Sequence, residues 1–297
     1  MSNPHTKVKQ EKQQMSYHEA HQRAAKSVCS VCHNRRPQYE RNRKKEFSYA
    51  ELCAATQGFS LKNYLSEGGF GSVYKGELCG QKIAVKQHTY SNQKGEKEFK
   101  SEVDVLSKAM HENVVMLLGS CSERNLRLLV YEYICNASLD QHLSQHSRKL
   151  LDWPDRVKVA DGVAKGLLYL HENNIIHRDL TANNILLTHD YDALLGDFGL
   201  ARTVIEDSSY STECVGNTGY MAPEYAEFGK VSIKTDVYSF GVVLLQLITG
   251  MKPIDKRLGE RTLVGWVVDA LTHIVEGKTP DCILRDYNYS PARSNSI

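Results

Sequence analysis

No long apolar run interrupts this chain. The longest, Phe240 to Ile248, falls far short of the ~20 residues that cross a bilayer, so no spanning helix is expected. The N-terminus lacks the apolar core of a secretory signal, and Ser2 after Met1 excludes myristoylation at a second-position glycine. Cysteine is sparse: eight in 297 residues, without framework spacing, which argues for reduced thiols rather than a disulfide scaffold. Strong charge of one sign is missing too, the formal net charge being +2. These absences exclude exported, disulfide-stapled and membrane-spanning classes. They leave a cytoplasmic globular protein, with contact at the inner face of the plasma membrane open.

The small net charge hides a segregation. Residues 1–46 carry eleven Lys and Arg against four Glu, a balance of +7, which leaves −5 on the remainder. Such a basic, Gln-rich, apolar-poor leader cannot bury enough surface to fold alone and is expected to be disordered. It could make peripheral contact with an anionic membrane, whereas no nucleic-acid partner is expected. Most tails of this kind are merely solvated. Within it, Cys29-Ser30-Val31-Cys32-His33 matches a haem-attachment pattern and half of a zinc site. No export signal precedes it and no second Cys or His pair follows at finger spacing, so a linker is the expected reading, with lipidation of Cys29 or Cys32 as a lesser option.

What the chain does contain is concentrated between Phe47 and Gly250. His177-Arg178-Asp179-Leu180, then Asn184, then Asp197-Phe198-Gly199 after a short hairpin, sets two carboxylates and an amide oxygen within one loop-strand-loop unit. That order suits a hydroxyl-orienting Asp179 and a Mg²⁺ site at Asn184 and Asp197, and points to phosphoryl transfer from ATP. Upstream, Ser66-Glu67-Gly68-Gly69-Phe70-Gly71-Ser72-Val73 reads as a strand, a glycine turn and a return strand that can fold close over phosphates. In Ile83-Ala84-Val85-Lys86, alternation puts Ala84 and Lys86 on one face beneath that turn. From Glu96 to Met110 the apolar residues Phe99, Val103, Leu106 and Met110 recur at helical spacing, with Glu102 close to the apolar face. A solvated ion pair is the bland reading of Glu102; a clamp on Lys86 is the functional one.

These motifs, together with Leu128-Leu129-Val130-Tyr131-Glu132-Tyr133, Leu151-Asp152-Trp153, Gly219-Tyr220-Met221-Ala222-Pro223-Glu224 and Asp236-Val237-Tyr238-Ser239-Phe240-Gly241, resemble eukaryotic protein kinases, most closely the plant receptor-like kinases and their cytoplasmic relatives. The leader is similar to that of a plant subgroup with some members labelled inactive. The resemblance implies an α+β, bilobal fold with a small sheet-rich lobe over 47–129 and a larger helical lobe over 130–286, ATP and Mg²⁺ in the cleft between them, and a polar tail over 287–297. It implies that Glu132 to Ile134 form the adenine hinge with Tyr131 behind it, that Val73, Ala84 and Leu186 sandwich the ring, and that Ser66, Gly68, Phe70 and Gly71 cover the phosphates. Leu106, Leu117, His177 and Phe198 would stack between the lobes, tied to Asp236. The implied partners are a protein substrate bearing Ser or Thr and an upstream receptor kinase. Asp197 to Glu224 would be an activation loop, whose phosphate Arg178 would hold.

Three departures weigh against full activity. Ser66 replaces the first glycine of the phosphate turn, a change expected to be tolerated. Thr181 and Asn217 replace the cation and hydroxyl expected beside Asp179, and loss of one preorganised donor can cost roughly 3 kcal/mol. Only 47 residues follow Gly250, fewer than the family has, and no arginine motif is present to pair with Glu224. An ATP-binding pseudokinase scaffold is therefore the alternative to a Ser/Thr kinase. Leu263 to Val275 still reads as one amphipathic helix.

Overall fold

The computed structural model describes residues 29, 31–32, 45–68, 71–88, 93–143, 150–203, 210–211, 215–259 and 261–275. Strand β1 (Lys45–Glu46) is followed by helix α1 (Tyr49–Ala55), then β2 (Tyr64–Gly68), β3 (Gly71–Leu78) and β4 (Gln81–His88). Helix α2 (Gln93–Leu106) and strands β5 (Leu117–Glu123) and β6 (Leu126–Glu132) complete a six-stranded sheet of order β1-β5-β6-β4-β3-β2. All neighbours are antiparallel except the short β1–β5 pair. Ser48 starts α1 as a reciprocal capping box with Glu51, satisfying two N–H groups that the first turn would leave unpaired. One face of the sheet closes over Leu52, Ile83, Val85, Leu128 and Val130, all buried.

Helices dominate the second half. After α3 (Leu139–Leu143), helix α4 (Trp153–Glu172) begins at Asp152, whose carboxylate accepts from the Asp155 N–H, and has proline in its first turn, where no N–H partner is lost. Its buried residues Val159, Val163, Gly166, Leu167 and Leu170 recur at three- and four-residue steps, so one stripe faces the core. A Cβ at Gly166 would lie 2.8 Å from the Asn113 carbonyl oxygen; only glycine allows that approach. Strands β7 (Ile175–Ile176) and β9 (Ala193–Leu195) lie against this helix, and β8 (Ile185–Leu187) pairs with β9 in the hairpin expected between the two acidic motifs. The short strands β10 (Arg202–Thr203) and β11 (Tyr210–Ser211), helix α5 (Pro223–Phe228) and strand β12 (Lys230–Val231) lead to α6 (Ile233–Thr249). Ser232 and Thr235 cap the start of α6, and left-handed Gly250 ends it. Helix α7 (Leu263–Val275) packs on α6 and occupies the span expected from its periodicity.

A mixed α+β chain with a sheet lobe and a helical lobe is what the resemblance implied. Two boundaries differ. Strand β6 runs to Glu132, past the expected break at Leu129, because Val130, Tyr131 and Glu132 continue the ladder with β4. Helix α2 ends at Leu106 rather than Met110, whose N–H is taken instead by the Tyr169 hydroxyl at 2.8 Å. Phe70, most of the leader, most of the 204–214 segment and the 287–297 tail lie outside the described residues. Among the described residues, no helix is long and apolar enough to cross a membrane.

Candidate active site

Register on the sheet decides which side chains share a face. Val73 pairs with Lys86, and Ala84 pairs with Tyr131, so alternation puts Val73, Ala84, Lys86 and Tyr131 on one side. Ala84, Leu117, Tyr131, Ile134 and Leu186 join a single apolar cluster that bridges the lobes. Glu132 is 1% exposed, and its carboxylate accepts from the Met116 N–H at 2.9 Å while its own N–H donates to the Met116 carbonyl at 3.1 Å. That reciprocal pair fixes the backbone where the chain leaves the sheet.

Ser66 and Gly68 are exposed on β2, opposite Val73 and Gly71. Ser66 is absent from the left-handed region, so the backbone there makes no demand for glycine and the substitution is accommodated. Gly71 is different. Its φ is +136°, and a Cβ would lie 2.1 Å from the Gln87 carbonyl oxygen, so the close approach of β4 requires glycine at this position.

Charge converges below this turn. The Lys86 Nζ donates to Glu102 Oε2 at 2.9 Å and to Asp197 Oδ1 at 2.7 Å. Glu102, fully buried, also accepts the Phe198 N–H through Oε1 at 3.1 Å, so one carboxylate ties α2 to both β4 and the Asp197-Phe198-Gly199 turn. Burial alone would disfavour the ammonium, but Asp197 and then Glu102 reverse that and hold the Lys86 pKa above its ordinary value. Burial pushes Asp197 up, yet Lys86 more than offsets it and keeps this carboxyl below the usual range. The Asn184 Nδ2 donates to Asp179 Oδ2 at 3.0 Å and to the Asp179 carbonyl at 2.8 Å, which leaves the Asn184 amide oxygen for another partner. Burial, and after it the Asp197 charge, raises the Asp179 pKa.

The loop that carries Asp179 hangs from Asp236 on α6. Its Oδ2 accepts the His177 N–H and its Oδ1 the Arg178 N–H, both at 2.8 Å, while His171 Nε2 lies 2.9 Å from Oδ2. Arg178 has φ +68° and Asp197 φ +58°, left-handed conformations that non-glycine residues hold only when their surroundings impose them. The rings of His177 and Phe198 sit 4.7 Å apart, tilted at 51° to one another. Arg178 is buried and donates to the Tyr225 hydroxyl at 2.9 Å. A small recess beside the loop is lined by Asp179, Gly216, Asn217, Tyr220 and Met221 among others. Thr181 is buried and its hydroxyl does not cap the turn it precedes, whereas Asn217 Oδ1 accepts the Gly219 N–H at 3.1 Å, a local capping task. Glu224 is half-buried, with no ion pair found among the described residues.

One neighbour was not flagged by any motif. His88, two residues beyond Lys86, is 3% exposed, stands edge-on to Phe99 at 5.6 Å with its Nε2 3.8 Å from Glu102 Oε2, and among the described residues neither ring nitrogen has a hydrogen bond. Burial first, then Lys86, drive its pKa from 6.5 down to about 3. The folded state therefore resists a proton that the unfolded chain accepts below pH 6.5, so stability is full above that value and drains as pH falls towards 3. Between pH 6.5 and 5.0 this residue is expected to remove ~2 kcal/mol. His88→Leu should flatten the dependence in denaturant titrations at the two pH values; an unchanged slope would refute it.

The same motifs order known proteins. The family model for protein tyrosine and serine/threonine kinases matches residues 59–270. The proline-rich receptor-like protein kinase PERK8 of Arabidopsis thaliana is 48% identical over 249 residues, covering 81% of this chain and 37% of the relative. PERK10 of the same plant is 48% identical over 237 residues, covering 77% of this chain and 31% of the relative, and PERK3 is 47% identical over 237, covering 77% and 46%. The chain thus spans between about a third and a half of the length of these relatives. With more than half its residues under the family model, the chain belongs to the protein tyrosine and serine/threonine kinase family.

Proposed function

We propose that this chain transfers the γ-phosphoryl group of ATP to Ser or Thr hydroxyls of protein substrates. The observation that carries the reading is the Lys86 ammonium seated between Glu102 at 2.9 Å and Asp197 at 2.7 Å, in the same fold that pairs Asp179 with Asn184 at 3.0 Å. In this reading Lys86 holds the α and β phosphates, kept in place by Glu102. Val73, Ala84 and Leu186 pack on adenine, with Tyr131 behind it and Glu132 to Ile134 offering backbone groups at its edge. Ser66, Gly68 and Gly71 lie over the phosphates. The free oxygen of Asp197 and the Asn184 amide oxygen are hard donors of the kind Mg²⁺ selects. Bound there, Mg²⁺ would neutralise charge on the phosphate oxygens. Asp179 orients the acceptor hydroxyl and takes its proton as the oxygen attacks phosphorus and ADP departs.

Purified chain incubated with labelled ATP, Mg²⁺ and a generic protein substrate should place acid-stable label on Ser and Thr, and Lys86→Met and Asp179→Asn should each abolish it. Nucleotide-induced thermal stabilisation without transfer under any condition would instead establish the scaffold reading, which Thr181 and Asn217 favour. We further place the protein on the cytoplasmic side of the plasma membrane, its +7 leader against anionic lipid and its Asp197 to Glu224 segment a target of an upstream receptor kinase. Sedimentation with phosphatidylserine vesicles checks the membrane part; no binding at low salt would refute it.

A further inference from the structure

Outside the Lys86 cluster, four groups with no role in phosphoryl transfer meet at one point. Cys29 Sγ lies 3.6 Å from Cys135 Sγ and 3.2 Å from His189 Nδ1, and His189 Nδ1 lies 3.1 Å from Cys135 Sγ. Cys32 completes the group, all four ligand atoms falling within 4.8 Å of one another. The Cys32 N–H donates to Cys29 Sγ at 3.4 Å, so the backbone at Cys32 already faces the first sulfur. Cys29 is buried and the other three are half-buried.

Two chemistries could gather three thiols and an imidazole. A disulfide needs sulfurs at ~2.05 Å and would use two of the four groups, leaving no reason for the imidazole nitrogen to sit within 3.2 Å of both sulfurs. A tetrahedral ion with ~2.3 Å metal–sulfur bonds separates its sulfurs by ~3.8 Å and uses every group present. The compactness of the set calls for a single ion rather than a multi-iron cluster, and thiolate with imidazole selects zinc over magnesium or calcium.

We propose that Cys29, Cys32, Cys135 and His189 bind one Zn²⁺ in a closed, structural Cys₃His site. Zinc binding releases the thiol protons, and the imidazole coordinates as a neutral ligand through Nδ1. Four protein ligands leave no open position, so the site binds and orders rather than catalyses. Its placement gives it a task. Cys135 follows the hinge segment that ends at Ile134, and His189 lies in the turn between β8 and β9, so the ion fastens the leader to the edge of the cleft. This holds whether or not the chain transfers phosphate.

Full-length protein purified without chelator should carry about one zinc ion per chain by plasma mass spectrometry. Cys29→Ser and Cys135→Ser should lose it, while Cys79→Ser, at an exposed turn, should keep it. Because a serine variant can misfold, cobalt added to the metal-stripped wild type supplies an independent readout: the visible spectrum of tetrahedral thiolate cobalt, bleached by zinc. Stripping the metal should lower the Tm by roughly 5 °C, and zinc should restore it. Wild-type protein that takes up neither zinc nor cobalt with its thiols reduced would overturn the site. So would recovery of a Cys29–Cys135 disulfide peptide.

Discussion

Asp179→Asn is expected to lower the phosphoryl-transfer rate by about 10³-fold, within the range that a positioned general base supplies. Asparagine keeps an oxygen for the Asn184 Nδ2 that now donates to Asp179 Oδ2 at 3.0 Å, so the loop should hold its shape while losing the proton acceptor. Removal of one carboxylate beside Asp197 also relieves the repulsion that helps raise the Asp179 pKa, so the variant should melt at or slightly above the wild-type temperature. The same raised pKa places the acid limb of the wild-type rate profile above the ordinary aspartate value, and that limb should vanish in the variant. Lys86→Met makes the contrast. It strands fully buried Glu102 without its cation and should cost about 3–5 kcal/mol of stability in addition to activity. Melting curves therefore separate a chemical defect from a structural one. Asp179→Asn turning over at more than about a tenth of the wild-type rate would exclude Asp179 from the acid–base role.

The clamp was legible in sequence because each part is local. Glu102 falls close to the apolar face of a periodic helix, Lys86 on an alternating strand, and Asp179, Asn184 and Asp197 within one short unit; the structure sets Lys86 against both Glu102 and Asp197. Other features depend on contacts that periodicity does not encode. The requirement for glycine at Gly71 comes from the Gln87 carbonyl on the next strand. His88 alternates like any strand residue, and only burial against Phe99 reveals its cost. The leader is the sharpest case. A search for a second ligand pair at finger spacing finds none, because the completing ligands are 106 and 160 residues away from Cys29. Spacing rules look along the chain, whereas Cys135 and His189 reach Cys29 through the folded hinge and hairpin. A lone cysteine just past a hinge, beside a histidine in a tight turn, gives no one-dimensional signal.

The other large effect is expected at Asp236, whose contribution is structural. Its carboxylate is 1% exposed and accepts the N–H groups of His177 and Arg178 at 2.8 Å each, with His171 beside it. Those two amides point at the buried Asp236 carboxylate; without an acceptor, each becomes a buried orphan costing about 1–3 kcal/mol. Asp236→Ala should therefore destabilise by about 3–5 kcal/mol, lowering the Tm by roughly 10 °C. Asp236→Asn should recover little, since one amide oxygen can serve one N–H while the amide nitrogen opposes the other. Asp161→Ala, which breaks an exposed helix pair with Lys165, should cost under about 0.5 kcal/mol and serves as the comparison. Relaxation of Arg178 to a right-handed conformation would swing Asp179 away from Asn184, so the surviving folded fraction of Asp236→Ala should also transfer phosphate slowly. Denaturant unfolding with matched slopes tests the first part. A loss below about 1 kcal/mol would mean that water or a neighbouring hydroxyl satisfies the two amides, and that Asp236 does not hold the loop.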